Sequence, residues 1–241
     1  MGLQHLYCIP EGCSPAEGAY VAFPFDDLLG ILALESQRHR CLVVGEDLGT
    51  VPEGFREKMA AANVLSYRVL FFEQDWDNGS FLLPTDYPRL ALAVAGSHDL
   101  PTLVGWWEGR DIDLKERLGL YPGQDETRSQ RERREQERNA IVEVFRKEGL
   151  LESNEISAEQ FAIAAHEFLA LSGSALVVPQ LDDLIGEADQ VNVPATFLEH
   201  PNWRRKYRMT LEEIAAGEYA CRRAGRLSEF RKSDRQDDRG G

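Results

Sequence analysis

Apolar residues in this chain come in short blocks separated by polar stretches, and the spacing within each block predicts its structure. Residues 24–40, PFDDLLGILALESQRHR, read as a helix. Pro24, Asp26 and Asp27 suit its first turn, Arg38 to Arg40 its last, and Leu28, Leu29, Ile31, Leu32 and Leu34 its buried side. Residues 41–45 (CLVVG) follow as a short buried strand, 52–62 as a second helix opening at Pro52, and 66–73 (SYRVLFFE) as another strand. A third strand over 91–96 (ALAVAG) runs into Ser97, His98 and Asp99. Residues 125–149 predict a highly charged helix with a late apolar stripe at Ile141, Val142, Val144 and Phe145. Another amphipathic helix covers 158–171, and SALVVPQ, 174–180, is a fourth apolar strand. The opening MGLQHLYCIPEG carries no capping, strand or helix signal, and 230–241 is a polar, fraying tail.

Helix and strand alternate, and the strands are apolar throughout rather than at every second residue. That is the pattern of an α/β chain with a parallel sheet buried on both faces. With about four strands visible, an open doubly wound sheet and part of a β/α barrel both fit.

The 41 acidic residues against 27 basic ones give a net charge of −14, which argues against a nucleic-acid or anionic-membrane surface. Arg131, Arg133 and Arg134 sit among glutamates and read as a solvated helix face. Cys8, Cys13, Cys41 and Cys221 form no CxxC pair, so no zinc site is expected. No signal-peptide pattern or long apolar run is present, and the expectation is a reduced, cytoplasmic chain.

Candidate chemistry gathers where strands end. Glu46 and Asp47 close the second block, and as neighbours on a strand they point to opposite sides. One is expected to reach a ligand while the other bonds the Gly49–Pro52 turn; the plainer alternative makes both of them turn and capping groups. A strand ending in acids also suits magnesium-dependent nucleotide hydrolysis, but there is no GxxxxGK[ST] or GxGxxG loop to go with it. His98 and Asp99, in GSHDLPT, suit hydrogen bonding to a hydroxyl-rich ligand better than an isolated metal half-site, with Asp99 as a helix N-cap the structural alternative. Asn192 and Asn202 can donate and accept at once, as sugar recognition requires. Arg204 and Arg205 read as surface ion pairs. Tyr7, Tyr20, Trp76, Trp106 and Trp203 can stack on sugar rings, although most aromatics are core.

Three blocks together, IPEG…GAYVAFPFDDLLGILALESQRHRCLVVGEDLGTVP, HDLPTLVGWW and VNVPAT…PNWRRK, resemble the amylomaltase family of 4-α-glucanotransferases, in the same order from residue 1 to about 215. The resemblance implies a retaining transglycosylase on a (β/α)₈ barrel. Residues 1–229 would be its C-terminal half, with helical insertions over about 110–170. It makes Glu46 the general acid and base and Asp99 the transition-state stabiliser. His98, Asn192 and Pro194 bind substrate, and Tyr7 and Tyr20 wall the acceptor side. The ligands implied are malto-oligosaccharides and other α-1,4-glucans, with no cofactor or metal. The family's nucleophile is an aspartate in an R-x-D-H segment, which these 241 residues do not contain and which is expected upstream of GLQHLYCIP. The chain alone is therefore expected to be inactive. A non-catalytic α-glucan-binding remnant, or a half-enzyme needing a separate N-terminal half, are the alternatives, and exposed sheet edges suggest self-association. Two departures stand out: Ser97 where threonine is usual, and Ala195 where glycine is usual. If position 195 needs φ > 0, alanine there costs stability or reshapes the loop.

Overall fold

The computed structural model describes residues 1–75, 78–217 and 224–231. Two compact units divide the chain: Met1–Tyr67 with Pro88–Leu92 and Ser174–Leu176, and Arg68–Tyr87 with Ala93–Gly173 and the residues from Val177 onward.

The first unit opens with strands β1 (His5–Cys8) and β2 (Ala19–Ala22), an antiparallel hairpin that pairs Tyr7 with Tyr20. No residue pattern announces it, because nearly every residue of both strands is exposed and no apolar alternation marks a buried face. Gly18 is required beneath the Tyr7 ring, since a Cβ there would lie 2.6 Å from it. Helices α1 (Phe25–His39) and α2 (Phe55–Ala61) follow. Their core is Phe25, Leu29, Phe55, Met59 and Val64, with Phe25 stacked on Phe55 at 5.3 Å. The predicted buried side of α1 is only partly buried: Leu29 is inside, whereas Ile31 and Leu34 are 58% and 55% exposed. Apolar residues lie on more than one side of this helix, and the core it shares with α2 takes in Phe25 and Leu29, with Leu32 packed against it.

The expected buried strand over 41–45 is a correction. Leu42 is 70% exposed, and the segment makes one isolated parallel bridge, Val44 to Leu65. A segment with a partner on one side only cannot build the two-sided burial its apolar residues suggest.

The remaining elements are β3 (Ser66–Val69), β4 (Gln74–Asp75), β5 (Ser80–Phe81), β6 (Ala91–Val94), α3 (Leu103–Glu108), α4 (Arg110–Arg117), α5 (Gln124–Lys147), α6 (Ala158–Ala170), β7 (Leu176–Val177), α7 (Leu181–Ile185) and α8 (Leu211–Ala216). β3, β6 and β7 form a sheet in the order β3-β6-β7, and β4 pairs antiparallel with β5. Three strands are shorter than the sequence suggests, β6 stopping at Val94 where the expected strand runs to 96. Residues 70–72 turn into a 3₁₀ helix that buries Leu70 and Phe71, and the 174–180 block contributes only Leu176 and Val177.

The core of the second unit is aromatic. Phe161 of α6 stacks on Trp106 at 5.3 Å and Trp107 at 4.7 Å, Trp106 on Phe71 at 4.7 Å, and Phe145 packs on Phe168 at 5.0 Å. The stripe expected on α5, Ile141, Val142, Val144 and Phe145, is buried there. Trp106, offered above as a sugar platform, is therefore core. Trp76 and most of the expected tail, 232–241, lie outside the described residues.

Candidate active site

In the first unit, Arg40 ends α1 in the left-handed conformation, and the extended segment after it delivers Glu46 and Asp47 to opposite sides, as alternation requires. Asp47 goes inward and is 0% exposed. Its Oδ1 accepts the Tyr67 N–H at 2.8 Å, its Oδ2 accepts Arg56 Nε at 2.8 Å, and Arg56 Nη2 donates to its carbonyl at 3.0 Å. The expectation is a bond to the Gly49–Pro52 turn; the bonds found here tie residues 47, 56 and 67 together. Glu46 is exposed, and its Oε1 accepts the Leu48 N–H at 2.7 Å. Glu46 also borders a cavity of about 290 Å³ whose other walls, including Phe25, Leu29, Phe55, Met59 and Val64, are mostly apolar. Tyr7 and Tyr20 meet each other, ring centroids 5.0 Å apart, and the Tyr7 hydroxyl donates to the Pro15 carbonyl at 2.6 Å. Tyr20 stays 70% exposed.

In the second unit the turn after β6 carries His98 and Asp99. Asp99 Oδ1 accepts Asn192 Nδ2 at 2.6 Å, and its Oδ2 lies 3.3 Å from His98 Nε2. The Asp99 N–H donates to Ser97 Oγ at 3.3 Å, so the serine at that position keeps a working hydroxyl. Asp99 does not cap α3. Thr102 does, its Oγ1 accepting the Gly105 N–H at 3.0 Å, while the fully buried Asp183 accepts the Leu103 N–H at 2.7 Å. Gly105 lets α3 approach the loop after α7: a Cβ there would lie 2.3 Å from the Ala188 carbonyl oxygen.

That loop is built to hold Asn192. Gln190 Nε2 donates to the Asn192 carbonyl at 2.6 Å. Asn202 Oδ1 accepts the Val193 N–H at 2.9 Å, and its Nδ2 donates to Thr196 Oγ1 at 2.7 Å. The Asn202 amide is thus committed inside the loop, which corrects its reading as a sugar binder. Arg205 is a half-buried clamp rather than a surface pair, bonded to Asp182 and, at 2.9 Å, to Glu187. The Phe197 amide, with those of Glu199 and Leu198, holds the Glu199 carboxyl below the usual range. Pro194 is exposed beside Ala195. Sequence reasoning missed Asp183, Gln190 and the latch function of Asn202, because each bonds backbone atoms that no residue pattern identifies.

Ala195 has φ 64° and Trp203 φ 62°. Non-glycine residues held there cost about 1–3 kcal/mol each. Ala195→Gly is expected to raise stability by about 0.5–1 kcal/mol, the relieved left-handed strain outweighing glycine's larger unfolded-state entropy. Urea unfolding midpoints at unchanged m would register it; an unchanged or lower midpoint would mean alanine sits there without strain.

Among the described residues, no group of three or more His, Cys, Asp or Glu side chains is placed to hold a metal, and no helix is long and apolar enough to cross a membrane. The family model described as 4-alpha-glucanotransferase matches residues 1–211. The 4-alpha-glucanotransferase of Haemophilus influenzae is 38% identical over 226 residues, 90% of this chain and 32% of that protein. That of Mycobacterium bovis is 35% identical over 239 residues, 95% of this chain and 32% of that protein. The crystal structure of amylomaltase from Corynebacterium glutamicum superposes with a TM-score of 0.85 at 28% identity, covering 95% of this chain and 34% of that one. Amylomaltase from Streptococcus agalactiae in complex with acarbose shares the fold at 18% identity and a TM-score of 0.62, over 95% of this chain and 39% of that one. The fold is therefore that of an amylomaltase over nearly the whole chain. The chain belongs to the 4-alpha-glucanotransferase family and spans about a third of the length of the curated relatives it matches.

Proposed function

We propose that this chain supplies the acid/base and the transition-state-stabilising sides of a retaining 4-alpha-glucanotransferase acting on malto-oligosaccharides, as the C-terminal half of a (β/α)₈ barrel. The observation that carries the reading is that two exposed carboxylates, one in each unit, stand at family-motif positions. Glu46 is oriented by one short bond from the Leu48 amide, and Asp99 is held between Asn192 and His98. Glu46 protonates the leaving glycosidic oxygen while an aspartate attacks the anomeric carbon. That aspartate comes from an R-x-D-H segment outside these residues. It would stand about 5–5.5 Å from Glu46, the spacing of retaining chemistry. The glycosyl ester then passes to a sugar hydroxyl, from which Glu46 takes the proton. Asp99, pinned by Asn192, accepts from sugar hydroxyls and stabilises positive charge at the anomeric carbon, with His98 as a further donor. Tyr7, Tyr20 and Pro194 line the substrate, and transfer outruns hydrolysis where such walls exclude water. No metal or cofactor enters these steps. The exposed Ile31, Leu34, Leu42 and Val44 support a protein-covered surface in the working enzyme, by self-association or by the other part of a barrel. The exposed free thiols Cys8, Cys13 and Cys41 support a reducing, cytoplasmic setting.

The test is disproportionation of maltotriose, read as glucose release. The chain alone is expected to match its Glu46→Gln variant. Mixed with the remaining two thirds of the Haemophilus influenzae relative, it is expected to gain activity that Glu46→Gln removes. Glu46-dependent release by the chain alone would mean that another carboxylate attacks. An assembled mixture that releases nothing would take Glu46 and Asp99 out of the reaction.

A further inference from the structure

Trp203 is the least economical residue in the Asp99 cluster. It is a bulky aromatic in the left-handed region, φ 62°, where such side chains are outliers. It also leaves 62% of its surface exposed. Neither folding nor burial rewards that arrangement, yet the loop enforces it from several directions. The Trp203 N–H donates to the Val191 carbonyl at 3.0 Å, and the preceding Asn202 is latched to Val193 and Thr196. The result brings the indole against the His98 imidazole, centroids 5.1 Å apart and tilted by 45°. His98 in turn lies 3.3 Å from Asp99 Oδ2, whose partner oxygen is held by Asn192. One residue of this row is a carboxylate that accepts hydroxyls, one is an imidazole that can donate to them, and the last is a flat apolar surface open to solvent. A pyranose presents those features in reverse: a rim of hydroxyls around a face of C–H groups.

We propose that Trp203 is a binding residue for α-glucans, its open indole face stacking on a glucosyl ring adjoining the one held at Asp99. The proposal rests on the glucan-binding reading above and adds to it the residue that selects for a sugar ring rather than any polyhydroxy compound. The strained backbone is the means by which an exposed indole is kept in one place before the ligand arrives, which lowers the ordering cost of binding.

The test uses the 241-residue chain labelled with 5-fluorotryptophan and titrated with maltoheptaose. Four tryptophans give four ¹⁹F resonances, and that of Trp203 is assigned by its loss in Trp203→Phe. The expected result is a saturable shift of the Trp203 resonance. The dissociation constant should weaken about five- to tenfold in Trp203→Ala and less in Trp203→Phe. Trp203→Gly separates binding from folding, because glycine accepts the left-handed backbone: it should unfold no more easily than the parent and still bind as weakly as Trp203→Ala. If Asn192→Ala abolishes binding while Trp203→Gly leaves the dissociation constant unchanged, the Trp203 proposal is overturned and the glucan-binding reading stands. If maltoheptaose produces no saturable shift and no heat of binding, both fall.

Discussion

Arg134→Met is expected to lower the unfolding free energy by about 3 kcal/mol, the usual cost of leaving one member of a buried ion pair without its partner. Asp111 and Arg134 are 5% and 11% exposed, so little of that cost is screened by water. The guanidinium meets the carboxylate bidentately, both contacts 2.8 Å, donates to the Trp106 carbonyl at 2.6 Å and lies 4.7 Å over the Trp106 ring. It therefore fastens α5 to both α3 and α4. Arg134→Lys should recover only part of the loss, since an ammonium cannot fork across two oxygens. The double variant Asp111→Leu/Arg134→Met should recover most of it, because no orphaned charge remains inside. Urea unfolding at constant m would report all three. A double variant as unstable as Arg134→Met would show that the packing of the arginine, not the charge left behind, carries the effect.

The same arginine shows what the sequence could and could not convey. Most of α5 is the solvated face that its interleaved charges suggest, with exposed pairs such as Arg128–Asp125 and Lys147–Glu143. Arg134 belongs to the other face. It lies seven residues after the buried Thr127 and seven before the buried Ile141, so helical periodicity places it inward. A count of apolar residues alone passes over it. Its partner Asp111 is 23 residues away, and no spacing rule joins them.

The helices α1, α5 and α6 were legible because apolar residues recur along them at helical spacing, whereas the short α7 and α8 carried no reading in the sequence. Strands were less so, because a strand's length is set by its neighbours in the sheet. CLVVG has the composition of a buried strand, but a single parallel bridge leaves most of it exposed. At Glu46 and Asp47, alternation correctly separates two carboxylates, while the choice of the inward one depends on the Tyr67 amide and Arg56, both supplied by other elements. Ala195 was legible for a different reason. A position where glycine is usual suggests left-handed backbone, and φ 64° is found there. Asn202 has the donor and acceptor groups of a sugar-binding residue and spends them on its own loop. Residue type gives the chemistry a side chain can perform; only the fold decides where that chemistry is used.

Glu46→Gln, in the enzyme completed with the relative's remaining two thirds, is expected to lower kcat for maltotriose about 10²- to 10⁴-fold, the range for loss of a general acid and base. The substitution is close to isosteric, and the amide oxygen can still accept the Leu48 N–H, so the turn should keep its geometry. Asp47, which does the structural work nearby, is untouched. Activity loss alone would not separate proton transfer from positioning, but the leaving group can. A maltotriosyl fluoride of α configuration expels fluoride, which needs no proton. Formation of the glycosyl-enzyme by Glu46→Gln should therefore approach the parent rate with the fluoride and remain slow with maltotriose. The second step then needs a base unless the acceptor is already an anion. Added azide should raise turnover of the fluoride and trap an α-glycosyl azide, the configuration that two successive displacements leave. Equal losses with fluoride and sugar leaving groups, unrelieved by azide, would make Glu46 a positioning residue of the turn and assign the proton to another group.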